Sequence, residues 1–176
     1  MRIDRKRIAK ARFKSVDERI VPTFGASSRA VLEAASAHAG IDLRDWTLEV
    51  GGSNKNGGVL GSKKRIVLDN GLKTLRPNVF RFVLLHELGH VRQYNDKTLE
   101  DSNVPLYARW KGRLTFALAV TPSAYAALPW ERDASDFALA SPFYQKVEPR
   151  DLEAMDGIDG TLVDTLREHI KMERTR

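Results

Sequence analysis

Residues His86-Glu87-Leu88-Gly89-His90 place two histidines four positions apart, with a carboxylate between them. On a helix that spacing is about one turn, so both imidazoles project from one face and can reach one metal ion. Glu87, one residue on, is rotated by roughly 100° and stands beside such an ion instead of on it. A carboxylate there can take a proton from water as a general base. The pattern is H-E-x-x-H, the spacing of a zinc site. The chain has no cysteine, which excludes disulfides and thiolate ligands, so any metal must be held by His, Asp or Glu.

A catalytic zinc takes a third protein ligand and leaves its fourth position open. Neither of the other histidines, His38 and His169, follows the pair at a spacing that makes it a natural third. Among the acids, Glu131 stands out. It opens the segment Glu131-Arg132-Asp133-Ala134-Ser135-Asp136-Phe137-Ala138, where Ala134 and Ala138 share a helical face. Small residues on that face let the segment pack closely on the histidine helix, and Gly89 lets a neighbouring segment approach that helix closely. Asp133 is the rival ligand on the same helix. Asp96, Glu100 and Asp101 lie nearer in sequence, in what reads as a polar loop.

His86 to His90, followed by Glu131-x-x-Ala134 and Phe137-Ala138, resembles the gluzincin metallopeptidases, most closely their ImmA/IrrE-type branch. The resemblance covers residues 64 to 140. It implies His86, His90 and Glu131 as ligands of Zn2+, Glu87 as general base, and hydrolysis of a protein or peptide substrate. Ser135 stands where that branch often carries Asn or Asp. His90-Val91-Arg92-Gln93 is similar also to zincin domains of secreted bacterial effectors, which makes a delivered toxin with the same chemistry an alternative. Such a reaction needs a donor for the developing oxyanion, and Tyr125, six residues before Glu131, is the first choice ahead of Tyr107, Tyr144 and His169.

The positioning elements follow from patterning. Val79, Phe80, Phe82 to Leu85, Leu88 and Val91 cover nearly the whole circumference of a helix over 78–95, which predicts a buried helix. A second helix is expected from a cap at Ser27 or Ser28 to Gly40, a third over 106–119, and a fourth over 130–140 after Pro129. Short helices are expected near 4–14, 149–155 and 161–172. Strands are expected over 46–50 and 65–68, joined as a hairpin by the Gly-, Asn- and Ser-rich stretch 51–62. The strand 65–68 would be an edge open to an extended peptide. The expected class is α+β: a small zincin-like domain over 26–176, with a short sheet packed on the buried histidine helix and further helices C-terminal.

Composition bounds the rest. The 176 residues are about one domain's worth and carry a net charge of +6. Eight of the basic residues fall between Arg2 and Arg19 against Asp4, Asp17 and Glu18, so 1–25 reads as a basic arm or helix. That arm permits a nucleic-acid partner and a regulatory role with little proteolysis. However, no aromatic residues interleave with it as a nucleic-acid module requires. No signal peptide and no membrane span are legible. A cytoplasmic protein, or an effector exported without a cleaved signal, is expected. Nothing in the sequence sets an oligomeric state.

Overall fold

The computed structural model describes residues 12–15, 21–52, 58–69, 72, 75–118, 121–148, 150–151 and 166–168. It is a mixed α+β fold with two small sheets. The first sheet has the order β1-β2-β4-β3, from Arg12–Ser15, Thr47–Gly52, Arg65–Asp69 and Gly58–Leu60. β1, β2 and β4 run parallel, and β3 is antiparallel to β4. The parallel step from β1 to β2 is made through helix α1, Val21–Ala39.

Period-two alternation decides which face of this sheet is buried. Leu48 is in register with Ile66 and Val50 with Leu68, and all four are buried under α1 and α2. Glu49, on the opposite face of β2, pairs with Arg65 instead. Helix α2, Pro77–Asn95, carries Pro77 at its start, where no intrahelical donor is needed. Its Phe82, Leu84, Leu85, Leu88 and Val91 are fully enclosed. Burying each such side chain is worth roughly 1.5–3 kcal/mol relative to leaving it in water. The C-terminal end of α2 is anchored by Asn95, which accepts from the Trp46 indole at 3.0 Å and donates to the Asp42 carbonyl at 2.7 Å.

The second sheet has the order β5-β6-β7, from Leu99–Asp101, Tyr107–Trp110 and Arg113–Phe116, all antiparallel. A short helix α3, Pro122–Ala126, and then α4, Pro129–Ala140, follow it. No helix among the described residues is long and apolar enough to cross a membrane.

Several expectations are corrected. The segment expected as a helix over 106–119 is the β6–β7 hairpin. Its turn is Lys111-Gly112, both at positive φ (49° and 76°), the combination a two-residue hairpin turn demands. The polar loop expected at Glu100 and Asp101 is strand β5. Residues 46–50 and 65–68 are strands but not a hairpin: they pair in parallel, and β3 supplies the antiparallel partner. β4 is therefore interior and β3 is the edge. Helix α1 begins at Val21, so Ser28 is a buried residue inside the helix and not its cap. The end of the basic helix expected over 4–14 is strand β1; the rest of it lies outside the described residues. The boundary drawn between 25 and 26 falls inside α1. Of the two tail helices, 150–151 and 166–168 are helical, and the remainder lies outside the described residues.

Candidate metal centre

Two helices build the site. α2 presents His86 and His90 one turn apart, both buried. α4 packs closely on it where Gly89 faces Ala134. A Cβ placed on Gly89 would stand 2.8 Å from the Ala134 Cα and 3.0 Å from its carbonyl oxygen. Glycine opposite alanine thus lets α4 carry Glu131 and Ser135 onto the two imidazoles.

Gly89→Ala sets two effects against each other. Alanine favours the helix by about 1 kcal/mol over glycine, whereas overpacking against a backbone costs about 1–3 kcal/mol. Since the obstructing atoms are backbone, the steric cost wins. The variant is expected to melt several degrees lower and to bind metal more weakly. An unchanged melting temperature would show that the contact is not constraining.

Three ligand atoms converge. His86 Nε2 lies 3.1 Å from His90 Nε2 and 3.1 Å from Glu131 Oε2, and His90 Nε2 lies 3.4 Å from the same oxygen. In a tetrahedral site with bonds of about 2.0–2.1 Å, ligand atoms are about 3.3–3.4 Å apart. The three atoms are close enough to one another to share one metal ion. The group could hold a metal ion.

The outer nitrogens are held by further partners. His90 Nδ1 faces Gln93 Oε1 at 2.9 Å. The Gln93 amide nitrogen donates to the Trp130 carbonyl and to Asp133, both at 2.8 Å. Both of those partners are acceptors, so the amide orientation is fixed and His90 must donate through Nδ1. In the neutral ring this leaves the Nε2 lone pair directed at the centre. Asp133 also pairs with Arg92. His86 Nδ1 meets the buried Ser135 hydroxyl at 3.1 Å, a group able to accept or donate as the ring demands.

Electrostatics sort the protonation states of the metal-free cluster. Burial pushes His86 below the usual histidine range despite its bond to Glu131. Burial also works to lower His90, but the Glu131 carboxylate outweighs it and holds that ring up at about 9. Glu131 loses charge stabilisation through burial, yet the two histidines pull it well below the ordinary carboxylate range. Glu87 is raised to about 7 by burial; His90 opposes this shift and the Glu131 charge adds to it. Glu87 Oε2 is buried and makes no hydrogen bond. A buried carboxylate oxygen without a partner is costly.

Tyr125 is brought to this cluster by α3, which Thr121 caps by accepting from the Ala124 amide at 3.2 Å. Burial and then its contact with Glu131 raise the Tyr125 phenol, and Glu87 adds to the effect, so the hydroxyl stays protonated. Tyr107 is on the exposed hairpin, and Tyr144 packs on Phe82 and accepts from the Val147 amide. His169 lies outside the described residues. His38 is on α1 against Phe143, away from the cluster. Asp96 caps the end of α2, and Asp101 accepts from the Tyr94 hydroxyl and the Ser62 amide. Gln93 is the supporting residue that motif reading passed over. Its position three residues after His90 on the same helix was the available signal. The chain matches no family model, no curated protein and no solved structure in comparisons with all three.

Proposed function

We propose that this chain is a zinc-dependent hydrolase of peptide bonds, with a zincin-like arrangement of His86, His90 and Glu131 as ligands and Glu87 as general base. The observation that carries the reading is the triangle of Nε2, Nε2 and Oε2 atoms beside the unbonded Glu87 oxygen. When bound, such an ion would acidify water and polarise a carbonyl.

The chain's own groups supply the rest. Glu87, titrating at about 7 in the metal-free protein, is placed to accept a proton and return it to the departing amine. The Tyr125 phenol, protonated and next to Glu131, is the donor best placed for an oxyanion. The edge strand β3, Gly58–Leu60, whose outer side pairs with no strand among the described residues, offers its backbone groups to an extended substrate. Gln93 and Ser135 hold the two imidazoles in orientation.

Titrating metal-free protein with zinc tests the reading. We expect one ion per chain. Ligation requires neutral imidazoles, so zinc at pH 7.5 should displace about one proton, that of His90. Comparing heats in buffers of different ionisation enthalpy measures it. Hydrolysis of an unfolded protein should appear with the zinc and vanish on chelation. Failure to take up zinc would overturn the proposal.

A further inference from the structure

Seven large hydrophobic side chains are exposed among the described residues, and six of them fall within one short stretch. They are Val104, Leu106, Tyr107, Leu114, Phe116 and Leu118, with exposures from 38% at Tyr107 to 56% at Leu106. Scattered exposed hydrophobics are ordinary, but a contiguous patch marks an interaction surface. The hairpin register makes three of them, Tyr107, Leu114 and Phe116, contiguous. Tyr107 is opposite Phe116 and Arg109 opposite Leu114, so all four share one face of the sheet, and the Tyr107 and Phe116 rings meet edge to face at 5.2 Å. The other face carries Trp110 onto Trp130, at 6.5 Å, next to Glu131. The apolar face therefore turns outward from an element seated beside the metal centre.

Two further features say what would cover it. Residues 102–118 contain Arg109, Lys111 and Arg113 and no acidic residue; Glu100 lies across from Arg109 and Lys111 lies over the Trp110 ring, whereas Arg113 is exposed with no carboxylate at ion-pair distance among the described residues. The sheet also ends at β7, whose outer edge pairs with nothing among the described residues. Ala117 donates to the Leu106 carbonyl across the hairpin at 2.7 Å. By the alternation of an antiparallel ladder, Leu114 and Phe116 then turn their amide and carbonyl groups outward.

An isologous second copy would set these cations against one another. A lipid surface would satisfy the charge, but it would leave the strand's backbone groups facing hydrocarbon without partners. An extended polypeptide satisfies both requirements. We propose that β7 is a docking strand for an extended segment of polypeptide that alternates apolar and acidic residues, which joins the sheet through Leu114 and Phe116, lays its apolar side chains on their face and turns its carboxylates to Arg113 on the other. That the docked segment belongs to the substrate rests on the hydrolase reading; the docking itself does not.

The test uses the full chain carrying Glu87→Gln, so that binding is read without turnover. The probe is a fluorescent peptide of about eight residues alternating glutamate and valine, with a lysine–valine counterpart as control. Anisotropy should report binding of the glutamate peptide, at least about tenfold weaker binding of the lysine peptide, and weakening with added salt. Leu114→Pro removes an outward amide while leaving the β6 pairing intact, and Arg113→Glu reverses the charge on the face the glutamates meet. Each should weaken the glutamate peptide by about tenfold or more. Because the charge-reversed variant alters only an exposed side chain, it keeps the test sound if the proline variant does not fold.

Equal affinity for both peptides, or no loss in the folded variants, would overturn the docking strand. So would binding to equimolar phosphatidylserine–phosphatidylcholine vesicles with no affinity for the peptide. Docking without any hydrolysis by the wild type would leave the strand standing and remove the peptidase. Hydrolysis without docking would do the reverse.

Discussion

Glu87→Gln is expected to lower the turnover of peptide hydrolysis by about 10²–10⁴-fold, the usual worth of a positioned general base, with zinc content unchanged. The substitution is close to isosteric, and Glu87 Oε2 makes no hydrogen bond to lose. The packing of α2 on α4 therefore has no reason to shift. What disappears is a proton acceptor held near the operating pH by its burial. The loss should fall on kcat and leave KM nearly alone, because the carboxylate acts on the reacting proton and not on the bound peptide. Steady-state kinetics beside metal analysis and a melting curve read all three quantities. Retained turnover would remove Glu87 from the mechanism. Loss of zinc would instead make Glu87 a ligand.

The elements that position this chemistry were legible unequally, for physical reasons. The α2 pattern is apolar on nearly every side and long, so no strand pairing could compete with it, and its observed bounds differ from the expected ones by one residue. α4 was bracketed by Pro129 and Pro142 and was found as expected. The β6–β7 hairpin was misread because Leu106, Ala108, Leu114 and Ala117 are good helix formers. Its turn residue Lys111 is also not the Asn or Asp that announces a two-residue turn. What decided the matter is the cross-strand pairing of Tyr107 with Phe116 and the seating of Trp110 on Trp130, contacts invisible to local propensity. The parallel pairing of β2 with β4 was hidden in the same way, since it depends on β3 folding back beside β4. At the site, residue types and spacing named His86, His90 and Glu131, and the structure brings those three together. The Gln93 bond to His90 was open to the same spacing argument. The Ser135 bond to His86 was not, because it depends on how closely α4 approaches Gly89.

Glu131→Gln is expected to weaken zinc binding by more than about a hundredfold, beyond the 10–100-fold typical of losing a supporting hydrogen bond. The amide keeps the size of the side chain but removes the one ligand charge in the triangle. Two neutral imidazoles are left to hold a divalent ion. Comparing the metal-free proteins separates this loss from simple unfolding. In the wild type, Glu131 is depressed below its ordinary value of 4.5 and His90 is raised from 6.5 to about 9. A depressed carboxylate stabilises the fold above its unfolded pKa, and that stability is lost as pH falls through its folded value. A raised histidine stabilises the fold fully below its unfolded pKa, and that stability is lost as pH rises through about 9. The pair therefore contributes most between about pH 4.5 and 6.5, and the gap in melting temperature between wild type and Glu131→Gln should be widest there and close toward pH 9. The His90 proton that stabilises the metal-free fold is also the one zinc must displace, so wild-type zinc affinity should climb with pH across the interval in which the stability gap closes. A Glu131→Gln variant that showed the stability gap but kept its zinc would place the third ligand elsewhere. Asp133 would not be free to serve, since Arg92 and Gln93 already hold it.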